Sequence, residues 1–242
     1  MIPKILHYCW FGGKEKPPLV QHCMASWQRF CPDFEVREWN ETNFDFHACP
    51  FAEEAYTAKK WAFVSDYVRV AVLSEYGGIY LDTDVELFAP LEPYLQNDGL
   101  LAFESNDYIG TAVMGCAPRN ALIAQMEQLY LHSHFLLPDG SFDTVTNVRK
   151  LTQMLSEGGL QKNGKQQSCC GFEVYPQILF FPNTLPMIFG KVSARTVSVH
   201  HAAASWIDGK VQSGFSQSVR RYLVGQARNR LGTDRLIRLG KK

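Results

Sequence analysis

Two aspartates, Asp82 and Asp84, close the stretch "SEYGGIYLDTDVELF" at residues 74–88. They follow an apolar run that begins at the Gly77-Gly78 pair. In an extended strand, residues i and i+2 face the same way, so the two carboxylates are expected on one side, with Tyr80 before them. Carboxylates this close repel unless a proton or a cation lies between them. A divalent ion with oxygen ligands resolves that conflict. Strand alternation puts Glu86 on the same side as a further carboxylate. An Asp-x-Asp in a solvated turn is the alternative.

Asp66 and Arg69 interrupt the apolar pattern of "WAFVSDYVRVAVLSEY" just upstream. At i, i+3 on a helix they share a face. They read either as an intrahelical ion pair on a solvated stripe or as groups that meet a polar ligand at the sheet edge. A carboxylate suits sugar hydroxyls, and a guanidinium suits phosphate or hydroxyl oxygens.

The elements that must position these groups follow from periodicity and from Gly and Pro punctuation. Residues 2–10 read as a strand, 19–30 as a helix and "FEVREWN" as a second strand. Residues 52–76 form the longest helical pattern, apolar nearly all round in its last part and so buried. "IYLDTDVEL" is expected as one strand, with "LLAFE" and "TAVMGCA" further on. Residues 120–132 and 148–157 read as helices, 158–171 as a polar surface hairpin or excursion, and "FEVYPQILFFP" and "TVSVHH" as late strands. This order predicts an α/β fold with a mainly parallel central sheet. In such sheets ligands bind beyond the carboxyl ends of the strands, where the Asp pair lies.

The whole chain sets outer limits. Its 242 residues suit one large domain with an appendage. The 24 Lys and Arg balance 24 Asp and Glu, so no global field selects a nucleic-acid partner. Seven cysteines at irregular spacing form no CxxC pair and read as reduced thiols. No leader-like segment opens the sequence, and no run approaches the ~18–20 apolar residues of a membrane span, so the expected location is cytoplasmic.

The block "AKKWAFVSDYVRVAVLSEYGGIYLDTDVELFAPL", residues 58–91, resembles the central block of glycosyltransferases of family 32, which carry a DXD-type sugar-binding region. That family includes yeast mannosyltransferases and many bacterial capsular polysaccharide enzymes. The opening "IPKILHYCWFGG" and the late "VSVHHAAASW" also resemble that family's ends. The resemblance implies a GT-A fold, a Rossmann-like nucleotide-diphospho-sugar transferase domain, over residues 1–215. It implies Mn2+ or Mg2+ as cofactor, a nucleotide-sugar donor with UDP-sugars favoured, a glycan or lipid-linked glycan acceptor, and retention of anomeric configuration.

Carried over residue by residue, the resemblance places Asp82 at the ribose and the metal shell and Asp84 on the metal. Asp66 would hold donor-sugar hydroxyls, Arg69 the sugar or a phosphate, and Trp10 the nucleobase. Tyr80 and Thr83 would flank the substrate. His200 or His201 is a further candidate ligand, since imidazole is acceptable to Mn2+. Alternation along a strand lets one of the two reach the ion, with His200 preferred. Ser205 and Trp206 would cover the diphosphate. The sequence departs from the family's pattern at "YIGTAVMG", where relatives carry an Asn, and at Asn147-Val148, where they have Gly-Pro.

Two rivals remain at this point: a metal-dependent phosphohydrolase on the same aspartates, and a non-catalytic glycan-binding module. Residues 216–242 read as a basic amphipathic helical tail, with Arg220, Arg221, Arg228, Arg230, Arg235 and Arg238 interleaved with Leu and Ile. Such a tail suits either an anionic membrane surface, giving peripheral attachment, or docking on the enzyme's own body.

Overall fold

The computed structural model describes residues 1–182 and 193–201. The proposed tail, residues 216–242, and the candidates Ser205 and Trp206 lie outside the described residues.

The chain begins with β1 (Ile5–Cys9), α1 (Pro18–Phe30) and β2 (Glu35–Trp39). Then come α2 (Pro50–Thr57), α3 (Trp61–Tyr76), β3 (Gly78–Leu81) and β4 (Val85–Leu87). β5 (Gly99–Phe103), β6 (Ile109–Cys116), α4 (Ala121–Leu131) and α5 (Asn147–Glu157) follow. The described part ends with β7 (Gln167–Cys169), β8 (Phe172–Tyr175), α6 (Gln177–Phe180) and β9 (Ser198–His200).

A seven-stranded sheet has the order β2-β1-β3-β6-β5-β8-β7. β1 pairs in parallel with both β2 and β3, and β5 with β8. β6 runs against β3 and β5, and β7 runs against β8. β1, β2, β3, β5 and β8 therefore share one direction, and the sheet is mostly parallel. Parallel neighbours need a crossover, supplied by α1 between β1 and β2 and by α2 with α3 between β2 and β3.

Helices and loops cover both faces. Tyr80, Leu101, Phe103 and Met114 pack with α2, α3, α4 and α5 on one side. Ile79, Leu81, Leu100 and Val113 pack with Trp27 of α1, with β4 and with α6 on the other. This alternation explains why β3 reads as a continuous apolar run: both of its faces are buried.

Residues 52–76 are two helices, not one. The chain turns over at Lys59, whose φ is 57°. Lys59 N donates to Tyr56 O and Lys60 N to Ala55 O, closing α2 before α3 starts. The apolar period runs through the break, and neither Gly nor Pro marks it. "IYLDTDVEL" is likewise not one strand. β3 stops at Leu81 and a tight turn follows, with Val85 N donating to Asp82 O at 2.9 Å. β4 then leaves the main sheet and pairs with β9. "FEVYPQILFFP" splits at Pro176 into β8 and the short α6, and β7, at the end of the expected polar excursion, forms a hairpin with β8.

The Gly77-Gly78 pair stops α3 and starts β3. Gly77 has φ 63°, and a Cβ there would stand 2.5 Å from Pro118 N. Gly78 has φ 98°, and a Cβ would stand 2.8 Å from Ile5 O in the neighbouring strand. Only glycine allows the helix to turn this tightly into the sheet.

Candidate active site

α3 delivers Asp66 and Arg69 to the carboxyl end of β3. The helix is apolar on most sides, with Phe63, Val64, Val68, Val70 and Val72 buried around the pair. Asp66 is 9% and Arg69 4% exposed, so the reading of a solvated stripe is excluded. Arg69 Nη2 lies 3.2 Å from Asp66 Oδ1 and 3.2 Å from Asp82 Oδ1. Its Nη1 donates to Thr111 O at 2.8 Å and its Nε to Ser65 O at 3.2 Å. The guanidinium carbon sits 4.6 Å from the centre of the Tyr80 ring. Each guanidinium nitrogen thus has an acceptor within the chain, and the cation organises two carboxylates.

Burial pushes the Asp66 carboxyl up to about 6, with Arg69 opposing and Asp82 adding to the rise. Asn147, at the start of α5, braces it: Asn147 N donates to Asp66 Oδ2 at 3.4 Å, and Asn147 Nδ2 to Asp66 O at 3.0 Å. Tyr130 OH holds Asn147 Oδ1 at 2.8 Å. Replacing a buried ion pair with apolar groups is often neutral or stabilising by ~1–4 kcal/mol. Stability therefore does not explain a carboxylate and a guanidinium buried in an apolar helix.

Asp82 and Asp84 come together through the turn between β3 and β4, not along one strand face. Asp82 N donates to Ala112 O at 2.9 Å, which fixes the first aspartate against β6. Asp84 is fixed from the far side, where His201 N donates to Asp84 O at 3.0 Å. Pairing of β4 with β9 then sets His200 Nε2 3.2 Å from Asp84 Oδ1. One ligand atom each from Asp82, Asp84 and His200 lies within 4.8 Å of the others. Two hard carboxylate oxygens and one imidazole nitrogen form a donor set that fits Mn2+ or Mg2+. Burial alone would lower the His200 imidazole, but Asp84, Asp82 and Glu104 outweigh it and lift it to about 9.

The other candidates are distributed around this centre. Thr83 is partly exposed in the turn between the aspartates. Tyr80 is 2% exposed, and its OH donates to Asp82 Oδ1 at 3.2 Å, so it acts on the site through Asp82 and Arg69. Trp10 is partly exposed just past β1, where its Nε1 donates to Lys14 O at 2.6 Å and Lys16 Nζ stands 5.7 Å from its ring. His201 does not join the cluster. Its Nε2 lies 2.9 Å from Glu86 Oε2, and Glu86 is engaged there instead of beside the aspartates.

Sequence reasoning missed Glu104 and the bracing role of Asn147. Glu104 follows β5 at the carboxyl edge of the sheet. Burial pushes its carboxyl up, with His200 opposing and Asp82 adding, so it shares their field. Its position at the end of "LLAFE" is the signal that could have found it. A surface groove of about 560 Å³, lined in part by Tyr108, Arg149 and Lys162, runs along α5 and includes none of these residues.

Residues 17–101 match the family described as a glycosyltransferase sugar-binding region containing a DXD motif. Asp82-Thr83-Asp84 lies inside the matched segment. A curated relative, inositol phosphoceramide mannosyltransferase 3 of Schizosaccharomyces pombe (strain 972 / ATCC 24843), is 29% identical over 133 residues. The match covers 52% of this chain and 36% of that protein, so the chain spans about a third of the relative's length. Among solved structures, the PaToxG glycosyltransferase superposes with a TM-score of 0.50 at 16% identity, covering 64% of this chain and 68% of that one. A glycosyltransferase involved in glycosylating the major capsid of PBCV-1 gives a TM-score of 0.45 at 12% identity, covering 91% of this chain and 100% of that one.

The fold is a mixed α/β architecture consistent with GT-A, and residues 17–101 resemble a glycosyltransferase sugar-binding region. The match to that region and the mannosyltransferase relative make the chain similar to family-32-like glycosyltransferases over these residues.

Proposed function

We propose that the chain uses a divalent ion, Mn2+ or Mg2+, to transfer a sugar from a nucleotide-sugar donor to a glycan or lipid-linked glycan. The observation that carries this reading is the convergence of Asp82, Asp84 and His200 beside the buried Asp66–Arg69 pair. A binding module has no need of such a cluster.

In this reading Asp82, Asp84 and His200 hold the ion. When bound, the ion offsets charge building on the leaving diphosphate. Arg69 keeps Asp66 and Asp82 in place. Asp66 accepts hydrogen bonds from donor-sugar hydroxyls, and Trp10 stacks on the nucleobase. Ser205 and Trp206 cover the diphosphate and exclude water, which would otherwise compete with the acceptor. Transfer retains configuration. The bond from the anomeric carbon to the diphosphate oxygen breaks, the bond to the acceptor oxygen forms on the same face, and the acceptor's proton passes to the departing diphosphate.

UDP-sugars are the favoured donors, and bacterial surface polysaccharide, capsular or lipopolysaccharide, is the favoured product. The name of the yeast relative adds nucleotide-activated mannose and a phosphoinositol-bearing lipid as a second donor and acceptor pair. Both acceptors are carried on lipids, which suits a cytoplasmic enzyme whose tail, residues 216–242, rests on an anionic membrane surface. Among the described residues no helix is long and apolar enough to cross a membrane.

The test is a donor panel of UDP-sugars and nucleotide-activated mannose, with Mn2+ or chelator, and with or without glycan and phosphoinositol-lipid acceptors. The reading expects slow donor cleavage alone, faster turnover to a glycosylated product with one acceptor, and loss of both on chelation. Hydrolysis of phosphate esters indifferent to acceptor would favour a phosphohydrolase. Binding without turnover across the panel would favour a glycan-binding module.

A further inference from the structure

β4 and β9 pair over only Val85, Glu86 and Leu87 against His200, Val199 and Ser198. A two-stranded ladder this short is marginal by itself. Yet it brings His200 Nε2 to 3.2 Å from Asp84 Oδ1, so something else must hold it.

One face of α1 does so for β4. Trp27 Nε1 donates to Val85 O at 2.7 Å, and Ser26 Oγ accepts from Leu87 N at 2.8 Å. One turn earlier, His22 Nε2 donates to Glu86 Oε1 at 2.9 Å. Glu86 is 8% exposed, and its other oxygen, Oε2, accepts from His201 Nε2 at 2.9 Å. His201 is 2% exposed and, through its backbone N, also donates to Asp84 O. A single buried carboxylate thus joins the helix, β4 and the residue that follows β9. Glu86 lies two positions from Asp84, and His201 lies next to His200, in the Asp82, Asp84 and His200 cluster.

We propose that His22, Glu86 and His201 form a positioning clamp that fixes β9 on β4 and holds His200 at ligand distance from Asp84. The clamp rests on the reading of Asp82, Asp84 and His200 as a divalent-ion site. Its three residues touch neither ion nor donor in this account. They act by removing the freedom of the β9 end, as groups behind metal ligands commonly do.

The test measures Mn2+ affinity of the full-length protein without donor, from the free-ion electron paramagnetic resonance signal. Wild type, Asp84→Asn, His22→Ala and His22→Gln are compared, with the metal-free melting temperature of each recorded. Asp84→Asn should lose binding. His22→Ala should bind about 10–100-fold more weakly, at a melting temperature close to wild type. His22→Gln, whose amide N–H can reach Glu86, should recover most of that loss. Should His22→Ala not fold, His22→Asn, too short to reach Glu86, replaces it. Affinity within twofold of wild type in the Ala or Asn variant, with Asp84→Asn silent, overturns the clamp and leaves the ion site standing. So does an equal loss in the Gln variant. Failure of wild type to bind Mn2+, or unchanged binding in Asp84→Asn, overturns the ion site and the clamp with it.

Discussion

Single residues define the chemistry, and their types were readable before their positions were. The DXD spacing, the Asp66 and Arg69 interruption and the paired histidines all stood out against apolar surroundings. Their geometry did not follow from the same rules. Asp82 and Asp84 meet through a turn, and Glu86, expected beside them by alternation, is bonded to His22 and His201. Alternation holds only while a strand continues, and this strand ends at Leu81. Burial also changes what a substitution at Asp66 tests. Asp66→Ala would strip a buried guanidinium of one partner and confuse folding with function. Asp66→Asn keeps the shape and an acceptor for Asn147 N. It should lower kcat/KM by roughly 100-fold, in the range of lost transition-state contacts, with a melting temperature within a few degrees of wild type. Preserved turnover with a large stability loss would make Asp66 structural. The pH dependence has a definite sign. Burial holds Asp66 protonated below about 6, against an ordinary value of 3.8. If its carboxylate binds donor hydroxyls, kcat/KM of wild type should fall as pH drops through 6. Ionising Asp66 weakens the fold, so its contribution to stability declines as pH rises from 3.8 to about 6.

Elements hold these residues at the sheet edge, and here sequence patterning was right about type more often than about boundaries. The buried last part of the 52–76 pattern is α3, because its apolar residues meet both sheet and neighbouring helices. The break at Lys59 is invisible to periodicity, since one residue of positive φ leaves the apolar positions in step. The turn at Gly77-Gly78 was legible because glycine is what a helix-to-strand reversal needs. Gly77→Ala should destabilise by ~1–3 kcal/mol from the strained φ alone, and more from the close approach to Pro118, as measured by denaturant midpoint. Trp27→Phe should cost roughly 1–3 kcal/mol by leaving the buried Val85 carbonyl unpaired. An unchanged midpoint would show that α1 does not anchor β4. The β4–β9 pair also carries a pH signature. His200 is lifted to about 9 from an ordinary 6.5, with Asp84 the foremost of the carboxylates that raise it. Its ion pair therefore stabilises the metal-free fold fully below 6.5, and that contribution is lost as pH rises through 9. The metal-free melting temperature should decline over that window, while the rise caused by Mn2+ should grow because less proton must be displaced. A Mn2+-induced rise that is flat from pH 6.5 to 9 would contradict His200 as a ligand.

At the scale of the whole molecule, strand and helix order gave the α/β class and the mostly parallel sheet. The reversal of β6 was not legible, because a strand buried on both faces reads the same in either direction. The shared direction of β1, β3 and β5 puts their carboxyl ends on one edge of the sheet, and Trp10, Asp82 and Glu104 stand just beyond those ends. The basic segment at residues 216–242 belongs to this scale too. If it rests on an anionic surface, full-length protein should co-sediment with anionic vesicles at low salt, and a truncation after Gln217 should stay in the supernatant. Sedimentation of neither would make the segment part of the enzyme's own body. The central claim is that Asp82, Asp84 and His200 bind the ion through which a nucleotide-sugar donor is held. Calorimetric titration of a nucleoside diphosphate into the protein, with and without Mn2+, tests it most directly. The account predicts binding only with Mn2+ in wild type and none in Asp84→Asn under either condition. Equal binding with and without Mn2+, or Mn2+-dependent binding undiminished in Asp84→Asn, would contradict it.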